Sequence, residues 1–198
     1  MNPTTSDGQP LIGDVIAVLD ESSPPATGGG VAYVVTAAAI ITGPALLTEL
    51  AALFGSERTR PFHYTREGAN VLQRMNELLI DHCVVATAQC TFTGRKGQVA
   101  ARRRLLPFIS DWLGAEGATH LVIESSDAAT MGRDQAHLLD HHRDSGGVPF
   151  AYDWRTKSEP VLWVADFIAG VVSDHVIGKN STYFESLESA GVVQLHYR

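Results

Sequence analysis

The sequence predicts an α/β fold: a mixed β-sheet of about five strands flanked by helices, with a helical insertion between strands two and three. Three observations predict it. Two apolar, β-branched runs follow one another near the N-terminus, separated by turn-forming residues. Two segments with helical spacing then precede a third such run. From residue 97 onward, helical and strand patterns alternate, the order that lays helices over a sheet with parallel pairs. At 198 residues and 44% hydrophobic, the chain suits one domain with a sizeable core. We read that domain over 14–198, after a flexible tail at 1–13.

Each element has its own signal. Asp14 to Asp20 is an apolar run ending in acids, the first strand. Glu21 to Gly30 holds Pro24, Pro25 and three glycines in a row, so it reads as a loop. Val31 to Ile41 is the second strand. Pro44 to Phe54 places Leu46, Leu47, Leu50, Leu53 and Phe54 at helical spacing. Ser56 to Arg66 is polar and irregular, and Ala69 to His82 is helical again. Cys83 to Thr93 is the third strand. Gly97 to Leu113 is an amphipathic helix with Pro107 inside it, where a kink or break is expected. His120 to Glu124 is strand four, Arg133 to Arg143 a polar helix and Val148 to Trp154 strand five. Glu159 to Ile177 is a long apolar helix. Phe184 to Tyr197 has room for a helical turn and a further strand.

Composition narrows the function classes. A net charge of −7 argues against a protein that coats nucleic acid, though it leaves room for a local basic groove. Cys83 and Cys90 lie in one predicted strand on opposite faces, so they cannot bridge each other. No zinc spacing or disulfide framework is present, which makes a reducing cytoplasm the expected location. The first ten residues lack the regions of a signal peptide, and no apolar run is long enough to span a membrane.

The informative residues are acids. Asp20 ends strand one on the face of Ile16 and Val18. Glu124 ends strand four on the face of Val122, and Asp127 follows in the loop. Asp166 sits on an apolar helix face among Leu162, Trp163, Ala169 and Gly170. Carboxylates held together raise one another's pKa and destabilise the fold. A divalent cation removes that penalty, and carboxylate oxygens suit Mg²⁺ or Mn²⁺. We therefore expect a metal to be the positive partner of Asp20 and its neighbours. Two such ions can drive phosphodiester hydrolysis. Each acid also has a plainer reading. Asp20 can cap the loop, Asp166 can pair with an arginine, and Glu124 and Asp127 can cap the next helix.

The element order and the acid positions resemble the ribonuclease H-like superfamily. Within it, the chain resembles the bacterial family known as domain of unknown function 3800. The family opens with Asp-Glu-Ser-Gly and closes with Ala-Asp-Leu-Ile-Ala-Gly. This chain has Asp20-Glu21-Ser22-Ser23 and Ala165-Asp166-Phe167-Ile168-Ala169-Gly170. Phe62 to Glu67 corresponds to its His or Lys segment and Glu124 to its acid after strand four. Ser23 replaces the usual Gly, and Glu124 stands where Asp is commoner, which leaves Glu124 or Asp127 open as the ligand. The resemblance spans roughly residues 14–178. It implies a ribonuclease H-like sheet and metal-dependent cleavage of RNA or DNA. Asp20, Glu124 and Asp166 would hold Mg²⁺ or Mn²⁺, with Asp127 or Glu21 as a further ligand. His63 would move a proton or touch the phosphate, since imidazole titrates near neutral pH, and Glu67 would orient it.

Basic residues fall into two groups. Arg58, Arg60 and Arg66 flank His63, and Arg102, Arg103 and Arg104 follow Arg95 and Lys96. Either group suits a phosphate backbone, and either suits a solvated face. Asp140-His141-His142 is read as surface, because adjacent histidines on a helix point about 100° apart. Nucleic acid is the expected partner, and a homodimer stays open. The rival readings are a non-catalytic module that binds nucleic acid or a protein, and a hydrolase of small phosphoesters.

Overall fold

A computed structural model describes residues 16–23, 32–41, 43–54, 60–93, 97–125, 128–146 and 151–198. The elements are β1 (Ile16–Ser22), β2 (Ala32–Ile41), α1 (Pro44–Phe54), a 3₁₀ turn (Tyr64–Arg66) and α2 (Ala69–Asp81). Next come β3 (Val85–Thr93), α3 (Gln98–Ala115), β4 (His120–Glu124), α4 (Ala128–Ser145) and β5 (Ala151–Arg155). The chain closes with α5 (Pro160–Val176), α6 (Thr182–Ser189) and β6 (Val193–Tyr197). The helical insertion between strands two and three is present as expected.

The strands form one mixed sheet in the order β5-β4-β1-β2-β3-β6. The sheet has six strands rather than about five. The sixth, β6, lies parallel to β3, with Ala86 opposite Val193 and Cys90 opposite Tyr197. It is short and half-exposed, so its own pattern is weak, and only its pairing makes it a strand. β2 runs antiparallel to both neighbours, β1 and β3. β1, β4 and β5 run parallel, so their carboxyl ends open on one edge.

Strand alternation divides the core between two faces. Ile16 and Val18 of β1 pack with α1, α2, α5 and α6, while Ala17 and Leu19 pack with α3 and Leu138 of α4. Helix α5 lies across the first face and is buried from Val161 to Asp174. Its apolar residues therefore run all the way round the helix, as a fully covered helix requires. Pro160 opens it at the position where a missing N–H costs nothing.

Three local expectations are corrected. Helix α3 runs unbroken through Pro107. Proline frees the carbonyl four residues earlier, that of Arg103, and His137 Nε2 of α4 bonds it at 2.7 Å. A neighbouring helix thus supplies the bond that the proline removes. Helix α4 begins at Ala128 rather than Arg133. Cys83 is an exposed turn residue with φ of 49° ahead of β3, and Cys90 alone of the pair lies in the strand, buried.

Candidate functional site

Asp20 and Glu21 are adjacent residues at the end of β1, so their side chains leave opposite faces of the sheet. Asp20 turns toward α5. The β1–β4 register ends with Leu19 opposite Ile123, and one step further brings Asp20 beside Glu124. Asp166 descends from α5 above them. A Lys157 side chain, from the loop between β5 and α5, joins the three. Its Nζ lies 3.0 Å from Asp166 Oδ1, 3.1 Å from Glu124 Oε2 and 3.5 Å from Asp20 Oδ2.

The three predicted acids are therefore brought together, and within the protein the charge that meets them is an ammonium. Lys157 was not among the sequence candidates. Its signal there is faint: one lysine in a polar loop three residues before the proline that opens α5. Neither its spacing nor its neighbours tie it to acids 33 and 137 residues upstream. Burial pushes the Asp20 carboxyl up to about 8, Lys157 works against the rise, and the carboxylates of Asp166 and Glu124 add to it. Burial also opposes the charge on Lys157, but Asp20, Asp166 and Glu124 outweigh it and hold the ammonium above the usual lysine range.

The oxygens differ in how well they are satisfied. Asp20 Oδ1 accepts the Glu21 backbone N–H at 2.7 Å. Asp166 Oδ2 accepts the Tyr64 backbone N–H at 2.9 Å, and its other oxygen takes Lys157. Asp20 Oδ2 is buried and has no hydrogen-bond partner. The Tyr64 contact is held from below. A Cβ at Gly170 would lie 2.2 Å from Tyr64 Cγ, a clash, so glycine is what lets the 3₁₀ turn settle on α5. The Tyr64 hydroxyl donates to Asp174 Oδ2 at 3.0 Å, and Lys179 pairs with the same carboxylate. Burial first, and then Asp174, raise the Tyr64 pKa.

Asp20, Glu124, Lys157, Asp166 and Tyr64 line a cleft of about 320 Å³ that also takes in His63, Thr65 and Ser125. His63 stands at its mouth, its side chain 40% exposed and its Nδ1 3.9 Å from Asp166 Oδ2. Glu67 does not reach the His63 ring. It accepts the His63 backbone N–H at 3.4 Å and pairs with Arg60 at 3.6 Å. Glu21 is not brought to the cluster. On the opposite face it pairs with Arg102 at 2.5 Å, and Arg102 reaches on to Asp134 at 2.8 Å.

The basic candidates separate likewise. Arg102 is engaged in that inner pair. Arg103 is exposed and lines, with Arg133, a second cavity of about 190 Å³ next to the first. Arg60 and Arg66 lie on the surface beside His63, with Arg60 bonded to the Arg66 carbonyl at 3.3 Å. Asp127, Arg58, Arg95 and Lys96 lie outside the described residues. The Asp140-His141-His142 segment is not wholly surface. His142 is buried with its Nε2 3.2 Å from Ser110 Oγ, and His141 pairs with Asp111.

The donor chemistry of the cluster suits Mg²⁺ or Mn²⁺: hard carboxylate oxygens, one of them buried without a hydrogen bond. The spacing is another matter. Among the described residues, no three His, Cys, Asp or Glu side chains are grouped closely enough to hold an ion. Contacts of 3.0–3.5 Å to Lys157 set the acids at ammonium distance, about 1 Å longer than Mg²⁺–oxygen bonds. The acids would have to draw in around a metal.

No family model matches the chain, and no curated protein matches it. Among solved structures it is similar to the RNase HII in the PCNA:RNase HII complex from Archaeoglobus fulgidus. The TM-score is 0.52 at 14% identity, over 89% of this chain and 78% of that one. The likeness shows the fold. It is an α/β fold with a mixed six-stranded sheet, similar to that of RNase HII. Among the described residues, no helix is long and apolar enough to cross a membrane.

Proposed function

We propose that the protein is a metal-dependent nuclease that hydrolyses phosphodiester bonds of RNA or DNA, related to the domain of unknown function 3800. The observation that carries this reading is the convergence of Asp20, Glu124 and Asp166, from three separate elements, on one point in an open cleft. A fold similar to that of RNase HII supports it. On this reading the three acids hold Mg²⁺ or Mn²⁺. Such an ion would activate water and offset charge at the scissile phosphate.

The protein's own groups supply the rest. Tyr64 fixes the Asp166 carboxylate through its backbone N–H, so the acid cannot rotate away from the cleft. The Glu21 N–H does the same for Asp20. His63 at the mouth is placed to take a proton from water or return one to the leaving oxygen. Exposed Arg60 and Arg66 lie in the segment that carries His63, Arg103 lines the adjoining cavity, and all three suit a phosphate backbone.

The test is cleavage of labelled single- and double-stranded RNA and DNA with Mg²⁺, Mn²⁺ or EDTA, alongside Asp20→Asn and Asp166→Asn. Cleavage that needs metal and disappears in both variants supports the reading. One observation favours a second reading, a non-catalytic module that binds nucleic acid or a protein. Lys157 already neutralises part of the cluster from within the fold. Binding of these nucleic acids without cleavage, unchanged in both folded variants, would support that alternative.

A further inference from the structure

Resting on the reading of the acids as a metal site, we propose that Lys157 is the resident second cation of the cluster. The site then takes one divalent ion, where three carboxylates alone would accommodate two. Three observations lead there. The first is position. Nζ touches all three acids at 3.0–3.5 Å, the place of a bridging cation.

The second is anchorage. The Lys157 carbonyl accepts the indole N–H of Trp163 at 2.8 Å. Trp163 is buried and packs edge-on to Phe54 at 4.6 Å between ring centres. The Glu159 N–H closes the loop onto the Thr156 carbonyl at 3.0 Å. The backbone beneath the lysine is therefore held, while its four-carbon stem lets the ammonium slide within the cleft. An incoming ion can displace Nζ from one carboxylate without expelling it from the site.

The third is the charge and donor count. A bound cation takes the place of the Asp20 proton, and three carboxylates with one ammonium then leave two negative charges, which one divalent ion cancels. A second ion would leave the cluster positive. Free coordination on Asp20 and Asp166 is also narrow, while Glu124 meets Lys157 through Oε2. Both oxygens of Asp166 and one of Asp20 already accept hydrogen bonds, and only Asp20 Oδ2 among these four has none. Arg102 is committed to Glu21 and Asp134, and Arg155, opposite Glu124 in the sheet, pairs with Asp153, so neither enters the count.

The experiment counts Mn²⁺ per chain by electron paramagnetic resonance titration. It uses wild type, Lys157→Met and Lys157→Arg, with Asp166→Asn reporting ions held elsewhere. The unfolding temperature of each sample is read in EDTA and in Mn²⁺. We expect one cluster ion in wild type and in Lys157→Arg, and two in Lys157→Met. Lys157→Met should also melt lower in EDTA and gain more from Mn²⁺ than wild type does. Two cluster ions in wild type, or one bound with unchanged affinity in Lys157→Met, would overturn the inference and leave the metal site standing. No Mn²⁺ in the cluster of any variant would overturn the metal reading along with it. If Lys157→Met folds in neither condition, the wild-type count decides, one ion in support and two against.

Discussion

Asp20 and Glu21 are neighbours in the chain and sit in two differently built ion clusters. Glu21 faces α3 and α4, where Arg102 spans Glu21 and Asp134: one cation for two acids. Burial opposes the Arg102 charge, and the two carboxylates more than restore it. Asp20 faces α5, where one ammonium serves three acids and one oxygen has no hydrogen bond. The first cluster ties helices to the sheet. Both border the cleft, since Glu21 and Arg102 line it too, but only the second has more than one acid in excess of its cation. The ratio of acids to cations, together with the orphaned oxygen, marks a binding site more clearly than the presence of acids does.

The largest effect that can test this contrast is a pH slope. The Asp20 carboxyl is raised from 3.8 to about 8. The folded state therefore holds a proton there that the unfolded chain releases, and in EDTA stability should fall as pH rises from about 4 to about 8. Asp20→Asn should flatten the slope in urea unfolding series, and an equally steep slope in that variant would break the assignment. Next in size is Arg102→Met, which leaves the buried Asp134 without its cation. We expect a loss of about 3–5 kcal/mol that Mn²⁺ does not restore, in contrast to Lys157→Met. Recovery with Mn²⁺ would erase the distinction between the two clusters.

Gly170→Ala should cost about 1–3 kcal/mol by forcing Tyr64 off α5. It should also weaken Mn²⁺ binding, because Tyr64 holds Asp166. A stable variant with unchanged Mn²⁺ affinity would show that this support is dispensable. The smallest effect sets a baseline. Arg74→Ala breaks only half-exposed pairs with Glu49 and Glu77 and should shift stability by less than about 1 kcal/mol. A larger loss would mean that surface pairs carry more of this fold than burial does.

Much of the fold was legible in the sequence, because strand parity and helix spacing are local properties. Parity put Asp20 on the face of Val18 and Glu124 on that of Val122, the β1–β4 register made these one face, and the apolar neighbours of Asp166 announced a covered helix. The α3 proline does not break its helix, and the bond to the Arg103 carbonyl comes from His137, 34 residues away. β6 was faint because a short edge strand has little pattern until it pairs with β3.

The site divides the same way. The amino-acid sequence by itself determined which residues are acids, which face each leaves and which helix must be buried, since these follow from periods of two and 3.6 residues. Only the tertiary structure decided what meets those acids. Lys157 comes to Asp20 across 137 residues, through a loop anchored by Trp163, and Arg102 comes to Glu21 from a helix on the other face. A charge finds its partner through packing between distant elements, and no local period encodes that distance.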